Sequence, residues 1–232
     1  MPINNFPLRL AEGITAKLDF DYACNRGHSF GEYHVHGVVN EILCANIDPA
    51  TRNVRTGFAH PAIQTEGNGG RKREIDFLLE GREPVDNEIC IEVKWAGSSH
   101  CKPENVLLDL CRLQIIKAAR PETECVFILS GPEMAHTDLF NARIFLAGTN
   151  CLLHRRSEAL TQGTGPRVKS FLLASNPDHS DEIEVIMPKL VKRLPTIPRS
   201  VHTTLIHSTR SAPQCGRFQT LVWTIGAGAG ES

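Results

Sequence analysis

The fold prediction for this sequence depends most on two short stretches, EIDFLL at residues 74–79 and EICIEVKW at residues 88–95. Polar and apolar residues alternate through most of both, as expected for β-strands that place one face on a core. Glu92 and Lys94 are two residues apart, so their side chains emerge on the same face of the second strand. A symmetric antiparallel hairpin would place Asp76 directly opposite Glu92. The sequence therefore predicts two carboxylates and an ammonium group on one side of a sheet.

The apolar residues of the same two stretches support this register. It places Phe77 opposite Ile91 and Ile75 opposite Val93, so that apolar side chains meet across the hairpin. Ile75 and Phe77 are therefore expected to share one face of their strand, and Asp76 to lie on the other.

Carboxylates as close together as Asp76 and Glu92 repel each other unless a cation lies between them. Oxygen ligands with positions left open for water suit Mg²⁺ or Mn²⁺. A metal ion held there polarises a phosphodiester and orients the attacking water. Lys94 is placed to orient or deprotonate that water, or to offset charge in the transition state. Glu32, on the apolar face of a predicted helix, is a third acidic candidate, and His36 one turn later is placed to hydrogen-bond it.

Hydrophobic periodicity predicts the remaining elements, in the order helix, three strands, helix, strand, with further elements behind them. No linker separates the second half, so we expect one domain over residues 1–232. Its core is expected over about residues 30–130, with a C-terminal elaboration over about 131–226. The predicted elements are helices over 31–46, 103–119 and near 134–146, strands over 54–60, 74–79, 88–95, 124–129 and near 168–174, 201–207 and 218–225, and a short helix beginning at Pro188.

This arrangement resembles the PD-(D/E)XK nuclease superfamily, which includes type II restriction enzymes and Holliday-junction resolvases. The resemblance rests on Asp76, on Glu92, Val93 and Lys94, and on the element order, and it covers somewhat over the first half of the chain. The Pro-Asp pair of that superfamily is Ile75 and Asp76 here. The resemblance implies an α/β fold with a restriction-endonuclease-like αβββαβ core, in which a mixed sheet is flanked by helices, and C-terminal α/β additions.

The resemblance also implies roles for individual residues. Asp76, Glu92 and the backbone carbonyl of Val93 would be metal ligands for Mg²⁺ or Mn²⁺. Lys94 would be the catalytic lysine and Glu32 the acid on the preceding helix.

Several basic residues are candidates for nucleic-acid binding. Arg71, Lys72 and Arg73 follow a glycine-rich loop and directly precede the strand that carries Asp76. They would contact phosphates, or they form an ordinary solvated surface. A second cluster comprises Lys189, Lys192 and Arg193, which the sequence does not place relative to the site.

Asp109 and Arg112 lie three residues apart on the helix after the predicted site. Two interpretations are open. They form a pair on the helix surface that contributes a few tenths of a kcal/mol. Alternatively, as the resemblance implies, this helix lies beside the metal and Arg112 faces the nucleic-acid backbone.

Composition restricts the class of protein. The chain has 232 residues, 41% of them hydrophobic and 22% charged, which is typical of a globular protein. Its 25 basic and 26 acidic residues create no global basic field, so nucleic acid must bind a local patch. The eight cysteines form no C-x-x-C pair, and neither a signal peptide nor a membrane-length apolar run is present. These features predict a reduced, cytoplasmic protein without membrane association.

The expected function is metal-dependent hydrolysis of phosphodiester bonds in nucleic acid, most simply by a DNA endonuclease. The main alternative is a non-catalytic nucleic-acid-binding or assembly protein that retains the nuclease fold, and a third is a nuclease toxin. The resemblance to restriction-type nucleases, which commonly act as dimers, allows a homodimer, but the residues of this sequence do not predict the oligomeric state. The sequence leaves open DNA versus RNA, endo versus exo cleavage, the recognition site and the biological pathway.

Overall fold

The computed structural model describes residues 6–64, 72–83, 87–145, 151–153, 168–173, 180–211 and 217–227. Within these ranges the protein is a mixed α/β structure in which a seven-stranded sheet lies between two layers of helices. The helices are α1 (Phe6–Ala23), α2 (Glu32–Asn46), α3 (Pro103–Ala119), α4 (Glu133–Phe140) and α5 (Ser180–Arg193), and the strands are β1 (Arg52–Phe58), β2 (Ile75–Gly81), β3 (Ile89–Trp95), β4 (Glu124–Pro132), β5 (Lys169–Leu172), β6 (Ser200–Arg210) and β7 (Phe218–Ile225).

The strands are ordered β1-β2-β3-β4-β7-β6-β5 across the sheet. The β3–β4 pair is parallel, and every other neighbouring pair is antiparallel. Helix α3 connects the parallel pair, because parallel neighbours need a crossover connection. The predicted order of helix, three strands, helix and strand from α2 to β4 is thus confirmed, and the C-terminal strands continue the same sheet.

Each face of the sheet buries its own apolar cluster. On one face, α1 and α2 pack with residues such as Leu10 and Val39 against Ile91 and Val93 of β3. On the other face, α3, α4 and α5 pack against a cluster that includes Phe127. Glu92 and Lys94 alternate with Ile91 and Val93, so they point toward the face that carries α3.

Helix α1 was not predicted from the sequence, in which the first predicted element begins at residue 31. The signal was present, since Phe6, Leu10, Ile14 and Leu18 recur every four residues and are all buried. Thr15 of this helix also hydrogen-bonds Thr220 of β7 at 3.0 Å. The helix therefore ties the N-terminus to the C-terminal strands.

The expectation of a short helix beginning at Pro188 is wrong. Helix α5 begins at Ser180 and contains Pro188 in its interior. Ile183, Ile186 and Leu190 are buried in the cluster of the α3 face. Burial of this apolar stripe outweighs the backbone hydrogen bond that a proline removes.

The β2–β3 hairpin has the predicted register, with Phe77 opposite Ile91. The strand pairing ends at Phe77, and Asp76 instead accepts a hydrogen bond from the Val93 N–H at 2.7 Å. Ile75 belongs to the cluster on the α3 face and Phe77 to the opposite cluster, so the expectation that they share a face is wrong. The strand departs from strict alternation at the position of Asp76.

Two further expectations concern membrane-spanning helices and the state of the cysteines. Among the described helices, none combines the length and the apolar composition that a membrane crossing requires. The seven cysteines in the described ranges are all free, and Cys215 lies outside the described residues.

Candidate active site

Lys94 is the central cation of the site. Its side chain is 13% exposed, and its Nζ lies 3.1 Å from Glu32 Oε1 and 3.1 Å from Asp109 Oδ2. Glu32 begins helix α2 and Asp109 belongs to α3, so the two carboxylates approach from opposite faces of the sheet. They meet Lys94 because it is the penultimate residue of β3, at the carboxyl end of the strand.

Glu92 is buried, and nearby cations and hydrogen-bond donors compensate only part of the negative charge of its carboxylate. The residue is 1% exposed, and its Oε1 has no hydrogen-bond partner. Glu92 forms an ion pair with Arg112, whose Nη1 lies 3.7 Å from Oε1. Burial, together with the negative charges of Asp76 and Asp109, raises the pKa of Glu92 well above its usual range. An uncompensated buried carboxylate of this kind is a strong candidate for binding a cation.

Asp76 lies closer to solvent than Glu92. Its side chain is 22% exposed, and Oδ2 accepts the hydrogen bond from the Val93 N–H. His36, expected to contact Glu32, instead has its Nε2 3.7 Å from Asp76 Oδ2. The bond to Val93 holds Asp76 beside the strand that carries Glu92.

Glu32 has the inward orientation that the sequence predicted, and it is paired. Its Oε1 accepts from Lys94, and its Oε2 accepts a longer hydrogen bond from Ser98 at 3.4 Å. Ser98 was not predicted, because it lies in the turn after β3 and belongs to no periodic element.

Asp109 belongs to the site, although the sequence did not single it out as a site residue. The expectation of a surface pair with Arg112 is wrong, because Asp109 is 4% exposed. Its Oδ1 accepts from Arg112 Nη1 at 2.9 Å while Oδ2 pairs with Lys94, so Asp109 bridges the two cations. Burial raises the pKa of Asp109, although Lys94 and Arg112 oppose that effect. The available signal was an acidic residue in an otherwise apolar helix segment, LLDL at residues 107–110.

The charge state of Lys94 follows from its neighbours. Burial lowers the pKa of Lys94, but the carboxylates of Asp109, Glu92, Asp76 and Glu32 outweigh burial and raise it above its ordinary value. Lys94 is therefore an ammonium group at neutral pH. It can donate hydrogen bonds and offset negative charge, whereas deprotonating a water is not favoured in this state.

A cleft of about 410 Å³ opens beside Asp76. Its lining combines four basic side chains with two acidic ones, which makes it locally basic in a chain that is nearly neutral overall. The lining residues are Gly57, Lys72, Arg73, Glu74, Ile75, Asp76, Arg112 and Arg193.

The predicted basic residues fall in different places. Lys72, Arg73 and Arg112 line the cleft, while Arg71 lies outside the described residues. Arg73 also links two backbone segments, because its guanidinium donates to the carbonyl of Ile63 at 3.3 Å and to that of Lys192 at 3.3 Å.

In the described part of the chain, no group of three or more His, Cys, Asp and Glu side chains is arranged to hold a metal ion. Asp76 and Glu92 are two carboxylates within electrostatic reach of each other, since the charge of Asp76 raises the pKa of Glu92. This fits Mg²⁺, which is usually bound through one or two carboxylates while it keeps several waters. The unpartnered, buried Oε1 of Glu92 supports the fit.

Comparisons with protein-family models, with curated proteins and with solved structures find no match for this chain.

Proposed function

We propose that the protein is a metal-dependent nuclease that hydrolyses phosphodiester bonds of nucleic acid, acting as a DNA endonuclease. The observation that carries the proposal is the buried Glu92 carboxylate, which has an unpartnered oxygen on the strand that also carries Lys94. Asp76 is held beside that strand and faces a basic cleft. The element order from α2 to β4 supports a restriction-endonuclease-like core.

Asp76 and Glu92 would hold the metal, together with the backbone carbonyl of Val93. Mg²⁺ or Mn²⁺ bound there would supply a Lewis acid for the phosphodiester. Glu92 must be ionised for this role, and its raised pKa makes metal binding depend on pH.

Lys94 would act as an ammonium group that orients the nucleophilic water and stabilises charge on the phosphate. Asp109 and Glu32 hold it in place from two sides. Arg112 lines the cleft and contacts Asp109, so it joins the catalytic cluster to the cleft. It would contact a phosphate of the substrate.

Cleavage of a supercoiled plasmid with Mg²⁺ or Mn²⁺, with an EDTA control, tests the proposal. We expect cutting by the wild-type protein that is lost in Glu92→Gln, Asp76→Asn and Lys94→Met. Glu80→Gln is a matched control, because Glu80 lies on the same strand as Asp76 but pairs with Arg55 on β1, outside the site. Circular dichroism checks that each variant is folded.

The outcomes separate the proposal from its alternative. If the three site variants cut as well as the wild type, the site assignment is wrong. If the wild-type protein does not cut and Mn²⁺ does not raise its melting temperature, the result favours a nucleic-acid-binding or assembly protein that has kept the fold. Gel filtration with light scattering determines whether the nuclease is a homodimer.

A further inference from the structure

Arg193 is the last residue of α5 and lies far along the chain from the residues of the candidate site. The structure nevertheless places it in the lining of the same cleft as Asp76 and Arg112. Arg193 is exposed, and within the described ranges it makes no ion pair and no side-chain hydrogen bond. Its guanidinium is therefore available to a ligand in the cleft.

Arg73 helps to hold Arg193 at the cleft. The Arg73 guanidinium donates to the backbone carbonyl of Lys192, the residue before Arg193, and to that of Ile63. Gln64 holds Arg73 in turn, since its side chain donates to the Arg73 carbonyl at 2.6 Å and accepts from the Arg73 N–H at 3.2 Å. The carboxyl end of α5 is thus tied to the segment that enters β2.

Three guanidinium groups converge on this cleft. The positive charge of Arg112 adds to burial in lowering the pKa of Arg73, which places the two cations within electrostatic reach of each other. The Nε of Arg112 is buried and has no hydrogen-bond partner. The acidic residues of the lining are Glu74, which has other interactions, and Asp76, which is held by Val93. An anion with several acceptor oxygens satisfies such a set of donors, and arginine binds phosphate in this way.

We propose that Arg193, together with Arg112 and Arg73, forms a phosphate subsite that holds the nucleic-acid backbone next to Asp76. The proposal rests on the proposed function and identifies where the substrate strand lies. Because phosphate oxygens are the same at every nucleotide, this contact contributes affinity without sequence preference. Arg193 is a substrate-binding residue here and takes no part in the chemical step.

The test compares Arg193→Gln with Lys192→Gln. Lys192 is its exposed neighbour on α5, does not line the cleft and carries the same charge, so both variants change the net charge equally. The affinity for a labelled DNA duplex is measured by fluorescence anisotropy in EDTA at several NaCl concentrations. Steady-state cleavage with Mg²⁺ gives kcat and KM, and thermal shift with Mn²⁺ tests the metal site separately.

For Arg193→Gln we expect the slope of log affinity against log salt to become less negative by about 0.9, the value for one lost phosphate contact. We also expect KM to rise several-fold with kcat and Mn²⁺ stabilisation unchanged, and Lys192→Gln to leave the slope and KM near wild type. Equal slopes and KM values for the two variants would overturn the subsite while leaving the nuclease intact. A wild-type protein that binds DNA with this Arg193 dependence but never cuts would overturn the nuclease and keep the subsite. A wild-type protein that does not bind nucleic acid would overturn both.

Discussion

At the scale of single residues, the site is governed by how three carboxylates share two partly buried cations. Lys94 lies between Glu32 and Asp109, and Arg112 lies between Asp109 and Glu92. Both contacts of Lys94 measure 3.1 Å, whereas the Arg112 contact to Glu92 measures 3.7 Å. Glu92 is therefore the least compensated of the carboxylates, and its properties should depend most strongly on pH and on added metal.

Replacing Glu92 with glutamine should show this dependence directly. Because its pKa is raised in the folded protein, the folded state binds the proton more tightly than the unfolded state. Without metal, the contribution of Glu92 to stability is present at acidic pH and is lost as pH rises toward the folded pKa. We expect Glu92→Gln to be as stable as the wild type in acid, more stable in alkali, and not stabilised by Mn²⁺ at any pH. Urea unfolding across pH, with and without Mn²⁺, measures this; identical pH profiles for the two proteins would contradict it.

Asp109 should act as a positioning residue for Lys94. We expect Asp109→Asn to lower kcat by about 10- to 100-fold, as is typical when a supporting partner of a reactive group is removed. Loss of one of its two carboxylate partners should also lower the pKa of Lys94 and shift the alkaline limb of the pH–rate profile to lower pH. A purely structural role would lower stability without that shift. Glu104→Gln, on the same helix but paired with Lys189, is the matched control.

At the scale of secondary-structure elements, the β2–β3 hairpin shows which structural features sequence patterns can predict and which they cannot. Alternation in 74–79 and 88–95 predicted β2, β3 and the register at Phe77 correctly, because apolar faces must match across a buried pair. Alternation did not predict that the ladder ends beside Asp76. A side chain that accepts a hydrogen bond from a neighbouring strand replaces the ladder there, and no periodicity encodes such a replacement.

The register between β2 and the edge strand β1 brings Gly57 opposite Asp76. The φ of Gly57 is +58°, and the residues on either side of it pair with β2 as Thr56–Phe77 and Phe58–Ile75. A side chain there would meet no atom closer than Glu74 Oε2 at 3.5 Å, so the cost of a substitution lies in the backbone. We expect Gly57→Ala to lower the free energy of unfolding by about 1–2 kcal/mol, since L-residues disfavour this region.

Gly57→Asn is the matched variant for this prediction, because asparagine tolerates the left-handed region better than alanine. We expect it to be destabilised less than Gly57→Ala in urea unfolding. An alanine variant as stable as the wild type would show that the positive φ is not required at this position.

At the scale of the whole molecule, the cleft combines residues that no local pattern connects. Lys72, Arg73 and Asp76 come from the entry to β2, Arg112 from α3 and Arg193 from the end of α5. Glu92 and Lys94 could be predicted because two residues along a strand fix their common face. Arg193 could not be placed, because its position depends on how α5 docks on the sheet and on the bond from Arg73 to Lys192.

The C-terminal strands should be required for folding of the part that carries the site. Strand β4 pairs with β7 along its length from Cys125 to Pro132, and Phe127 packs against Trp223 with ring centroids 5.9 Å apart. Helix α1 also hydrogen-bonds Thr220 of β7 through Thr15.

A chain that ends after residue 145 would expose the apolar faces of β4 and α1, together with the unpaired backbone edge of β4. We expect this shortened chain to bind a hydrophobic dye and to lack a cooperative thermal transition, whereas a chain that ends after Ala227 should melt like the full-length protein. A cooperative transition and Mn²⁺ stabilisation in the shorter chain would show instead that residues 1–145 form an independent domain.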